Sequence, residues 1–72
     1  MDISVRTFLK DLHNERDRKQ DLYDEMIRMY QQAVAAQDDN TAAVYEHQAR
    51  VLINDVRRID TTIELINERV GG

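Results

Sequence analysis

The sequence predicts an all-α fold, an antiparallel two-helix hairpin whose core is open to completion by a partner chain. Three observations lead there. The 72 residues include no proline and only two glycines, paired at the end as Gly71 and Gly72, so nothing interrupts a helix internally. Apolar residues recur at steps of three and four through most of the chain. One stretch just past the middle, Gln37-Asp38-Asp39-Asn40, lacks that periodicity and carries turn-forming side chains.

The first arm is expected over residues 2–36. Val5, Phe8, Leu9 and Leu12 form an apolar cluster, and Leu22, Met26, Met29 and Ala33 continue in the same heptad frame. Residues 13–21 between them are all polar, which puts Glu15 and Lys19 at seam positions. No residue there breaks a helix, and Glu15 precedes Lys19 by four, the favourable acid-first order, worth ~0.3 kcal/mol. The reading is one long helix, wet or overhanging at the polar tract, with a break near residues 14–18 as the alternative. On that reading the tract isolates the N-terminal cluster. Removing residues 1–12 is then expected to leave the remainder largely folded.

The turn covers residues 37–40, and Asn40 or Thr41 is suited to cap the second arm by accepting from free amides of the first turn. The second arm follows over residues 41–70. Its apolar positions Tyr45, Ala49, Leu52, Val56, Ile59, Ile63, Ile66 and Val70 are separated by steps alternating four and three without a miss. Gly71 stands just past the last of them, where a left-handed residue would end the helix at little steric cost. Two helices of about thirty residues joined by so short a link fold back on each other.

A single domain of this size has a thin core, and the absence of cysteine excludes disulfides and thiolate metal sites as supports. The net charge is −4. Arg50, Arg57 and Arg58 are interleaved with Glu46, Asp55, Asp60 and Glu64, so no basic stripe marks a nucleic-acid surface. The longest apolar runs, residues 33–36 and 42–45, are too short to span a bilayer. The first residues lack a basic segment followed by an apolar one, so a cytoplasmic protein without a secretory signal is expected.

Chemistry is poorly provided for. The two histidines, His13 and His47, fall in the polar tract and off the second seam. Glu46 and His47 are adjacent rather than three apart, unlike a di-iron bundle. Asp38, Asp39 and Asn40 lack the glycine and distal glutamate of a calcium loop. No catalytic residue, metal ligand or cofactor site is assigned. The acidic group Asp17, Asp21, Asp24 and Glu25 reads as a solvated helix face.

Apolar side chains outside the seams are more informative. Val44, Val51 and Leu65 lie on a flank of the second arm, and Tyr23, Ile27, Tyr30 and Val34 form a second stripe on the first. A two-helix hairpin buries one stripe per helix, so these seven are the candidate partner-binding residues. The occupant is either a different protein or a second copy that makes a homodimeric bundle.

The run Tyr45-Glu46-His47-Gln48, followed by residues 51–66 with their isoleucine-rich heptads, resembles the E-component co-chaperones of type III secretion needle subunits, the YscE/EscE kind. Members are short acidic chains built as two helices joined by a turn. The likeness covers the whole chain in length and arrangement, and its residue pattern runs from Tyr45 to Ile66. It implies a cytoplasmic co-chaperone that joins a larger tetratricopeptide-like chaperone and helps keep a needle subunit soluble and unpolymerised. The polar tract of residues 13–21 departs from the family pattern.

Overall fold

Two helices account for nearly all of the chain. The computed structural model describes residues 3–71, with α1 spanning Ile3–Ala35 and α2 spanning Asp39–Gly71. The expected start at Asp2 falls outside the described residues. A 33-residue helix is ~50 Å long at 1.5 Å per residue. The molecule measures 52 × 15 × 12 Å, so the helices lie side by side over their full length.

The turn is tighter than the sequence suggested, three residues rather than four. At the end of α1 the Asp38 amide donates to the Ala33 carbonyl (2.9 Å) and the Gln37 amide to the Val34 carbonyl (3.0 Å). This is a Schellman closure, and it forces Gln37 into the left-handed region at φ 58°. The cap of α2 is Asp38, neither Asn40 nor Thr41. Its Oδ1 accepts from the Thr41 amide at 3.2 Å and its Oδ2 from the Thr41 hydroxyl at 2.6 Å. The hydroxyl and amide donors of Thr41 hold the Asp38 carboxyl below the usual carboxylate range. Asp39 then falls in the first helical turn, where its charge suits the helix dipole. Gly71 is itself helical, and no glycine among the described residues has positive φ.

α1 is continuous through the polar tract, with no break at residues 14–18. Two cross-helix ion pairs explain how. Arg16 bonds Asp60 through Nε, and the Lys19 ammonium lies 3.1 Å from Asp55 and 3.4 Å from Glu15. Hydrogen bonding to Asp60 raises the Arg16 pKa, and hydrogen bonding to Asp55 raises that of Lys19. Val56 is only 3% exposed at this level, where the α1 residues facing it are Arg16 and Lys19, so their alkyl stems shield it while the heads reach solvent. A slip of one heptad would set Arg16 against Ile53 or Asn67 and Lys19 against Gln48 or Thr62. Both pairs would be lost, so the tract specifies register.

The pairs also correct the expectation of an overhang. Leu9, Ile59 and Ile63 form a buried cluster, with Val5, Leu12 and Ile66 packed against it. The N-terminal turns are therefore part of the core, and removing residues 1–12 would expose half of it. On the second helix the seam is as expected, with Ala49, Val56, Ile59 and Ile63 buried and Tyr45, Leu52 and Ile66 half-buried. Ala42 extends it by a further step, whereas Val70 is exposed.

On the first helix one column of the seam differs. Steps of four and three from Val5 run through Leu9, Leu12, Arg16, Lys19, Tyr23, Met26, Tyr30 and Ala33, and every one of these is buried or half-buried. Phe8 and Leu22 belong to the neighbouring column and are exposed. The large Tyr23 and Tyr30 lie beside Ala49 of α2, whose small side chain leaves them room at the seam.

Candidate functional site

Among the described residues the hairpin buries seven apolar residues, three of them alanines, and exposes eight large ones, Ile3, Phe8, Leu22, Val34, Val44, Val51, Leu65 and Val70. Among the described residues no large side chain is fully buried. Two helices thus leave large apolar side chains on the surface that they cannot cover themselves. The placement of that material decides what the molecule can bind.

Each broad face of the hairpin carries a shallow groove at the same level. One is lined by Tyr23, Ile27, Tyr30, Ala49 and Ile53, with Glu46 and Arg50 at its rim. Glu46 and Arg50 are ion-paired at 2.7 Å, which rings that groove with charge. The opposite groove is lined by Leu22, Met26, Val51 and Leu52, with His47 and Gln48 beside them. Its own lining residues form no ion pair among the described residues, and the Lys19–Asp55 pair lies one turn along from Leu22 and Leu52 at its end.

The seven residues singled out from the sequence divide between the two faces. Tyr23, Ile27 and Tyr30 are half-buried on the first, and Val34, one heptad beyond Ile27, is exposed. Tyr23 and Tyr30 occupy seam positions, so they support the hairpin as well as the groove. Val51 lines the second groove, and Val44 and Leu65 share its heptad column; all three are about half exposed. The sequence reading placed Leu22 in the core, so it missed the residue that joins Val51 across the helices.

The second face extends well beyond its groove. The ion pairs put Arg16 level with Asp60 and Lys19 level with Asp55. In that register Phe8, Leu22 and Met29 on α1 fall within about half a turn of Leu65, Val51 and Val44 on α2. The result is a ladder of apolar rungs at heptad spacing. One rung differs: Glu15 stands level with Arg58, between Phe8/Leu65 and Leu22/Val51. The guanidinium of Arg58 makes no ion pair among the described residues.

Heptad continuation puts the first face's apolar residues at Ile27, Val34 and Ile53, with Arg6, His13, Gln20, Asp60 and Asn67 completing the same columns. That face is polar away from its groove. Neither histidine is buried, and no group of three or more His, Asp or Glu side chains among the described residues could hold a metal ion. No helix of the described residues is long and apolar enough to cross a membrane. No family model, characterised protein or solved structure matches the chain.

Proposed function

We propose that this chain is a non-enzymatic binding subunit that docks the face carrying Leu22 and Val51 on helices of a partner protein. The observation that carries the reading is the ladder of exposed apolar residues at heptad spacing along one broad face. A heptad ladder is the shape that another helix or helix pair fits, because its knobs then meet holes at the same period. Isolated exposed apolar side chains would need no such explanation.

The specific role follows the resemblance over residues 45–66: a small cytoplasmic co-chaperone that binds a tetratricopeptide-like chaperone and helps keep a type III secretion needle subunit soluble and unpolymerised. Tetratricopeptide arrays are themselves stacked helix pairs with apolar grooves, a suitable counterpart to such a face. The physical task in that role is coverage of apolar surface. It uses no catalytic group.

Coexpression with a tetratricopeptide-like chaperone and a needle subunit from the same genome tests this. Val51→Asp with Leu65→Asp should keep helical circular dichroism, since both sites are half exposed in the hairpin. A buried apolar side chain contributes ~1.5–3 kcal/mol, so capture of the chaperone should weaken at least about tenfold. The needle subunit should then aggregate. Unchanged capture by the folded variant would remove the face from the interaction.

A further inference from the structure

The same face is complementary to itself. Its charged rung sets an acid on one helix level with a base on the other, Glu15 with Arg58, at a fixed place among the apolar rungs, with Glu15 also 3.4 Å from Lys19 of its own helix. Turning a second hairpin by half a revolution about an axis parallel to the helices keeps every level and sets α1 against α2 of the other copy. Phe8 then meets Leu65 of the second copy, Leu22 meets Val51, and Met29 meets Val44. Glu15 of each copy meets Arg58 of the other, so the charged rung is satisfied twice.

A two-fold axis across the ladder would fail this test. It reverses the levels and sets Glu15 and Arg58 against Leu22 and Val51, desolvating charges with no opposite charge to meet. The first broad face offers no comparable match, because apart from Val34 its apolar residues gather in one groove. Area agrees as well. The broad face, 52 Å by 15 Å, projects to about 780 Å², close to the ~800 Å² per partner of a standard stable interface.

We infer that a second copy of this chain occupies the Leu22/Val51 face when no other partner is present, forming a four-helix bundle with neighbouring helices antiparallel. The inference rests on reading that face as a docking surface, though not on which outside protein uses it. Its consequence is regulatory: an outside partner must displace the second copy, so its apparent affinity for the protein falls as the protein becomes more concentrated.

Sedimentation equilibrium of the full chain, from micromolar to millimolar concentration, is the first measurement, and a dimer is expected. Glu15→Arg and Arg58→Glu each place like charges at both copies of the rung, and each alone should weaken the dimer about tenfold or more. Mixing the two variants restores an opposite pair at both rungs. Native mass spectrometry should then find the mixed dimer in excess over either homodimer. Helical circular dichroism of each variant checks that the hairpin is intact, and Glu15→Gln with Arg58→Gln are milder replacements if either charge reversal unfolds it. A monomeric wild type at every concentration would overturn the inference, as would a mixture that shows no preference for the mixed dimer. Should the wild type be monomeric while Val51→Asp abolishes chaperone capture, the second copy is excluded and the docking face stands. If the dimer behaves as described but capture is unchanged in Val51→Asp, the outside partner binds elsewhere.

Discussion

Gln37 pays a conformational penalty that a single substitution removes. Its φ of 58° lies where an L side chain crowds the following carbonyl, at ~1–2 kcal/mol. The Schellman closure requires that conformation, because the bonds from Gln37 and Asp38 back to Val34 and Ala33 form only if the chain turns left-handed there. Gln37 is exposed, so its side chain offers little in return. Gln37→Gly relieves the crowding at a cost in unfolded-chain entropy of ~0.5–1 kcal/mol, for a net gain of ~0.5–1 kcal/mol. A domain of this length shifts its Tm by ~4–8 °C per kcal/mol, so a rise of ~2–8 °C is expected. Thermal melts by circular dichroism at one fixed protein concentration measure it, with Gln37→Ala as a control that keeps a Cβ and should change little. A fall in Tm for the glycine variant would refute the argument that the left-handed residue at position 37 sets the hairpin turn.

Other outcomes follow from the same geometry. Ile59→Asp puts a carboxylate among Leu9 and Ile63, losing ~1.5–3 kcal/mol of burial plus desolvation, against the ~3–5 kcal/mol that so small a core supplies; helicity should collapse, and retained helicity would show the seam is not the core. Leu9→Ala should cost ~2 kcal/mol or more in urea unfolding, and removal of residues 1–12 should abolish the cooperative transition, whereas an intact transition would make the N-terminal cluster dispensable. The Asp38 carboxyl, with its pKa lowered in the fold, contributes stability that is present above the ordinary carboxylate range and lost as pH falls through its lowered value. Asp38→Ala should therefore flatten the acid limb of the stability profile, and an unchanged limb would remove the cap from the account. Lys19, with its pKa raised, loses its contribution only as pH climbs past the ordinary lysine range, so the neutral region should be flat with respect to it.

Much of this was legible in the sequence because α2 follows a strict heptad: its seam from Tyr45 to Ile66 and the exposure of Val44, Val51 and Leu65 follow from residue spacing alone. α1 was harder for a physical reason. The column Leu9, Arg16, Tyr23, Tyr30 faces α2, but two of its four residues are tyrosines and one is an arginine. The adjacent column, Phe8, Glu15, Leu22, Met29, is more apolar and looks more like a core. Tertiary fit chose the first: the tyrosines lie beside the small Ala49 of α2, and Arg16 finds Asp60. One signal could have found it, since the steps of four and three starting at Val5 and Leu9 continue unbroken through Arg16 and Lys19 if a long basic side chain is allowed in a seam. The same shift of column brings Leu22 and Phe8 out onto the docking face. It also means that Tyr30→Asp would disturb folding along with binding, unlike Val51→Asp.

The central claim is that another chain covers the Leu22/Val51 face. The sequence has no cysteine, so Val51→Cys introduces a unique thiol whose labelling rate reports on cover at that position. Thiol modification should slow as the protein concentration rises, and slow again when a tetratricopeptide-like chaperone is bound. Asn67→Cys, exposed on the opposite broad face, should react at one rate throughout. Equal and undiminished labelling of Val51→Cys and Asn67→Cys under all of these conditions would contradict the account.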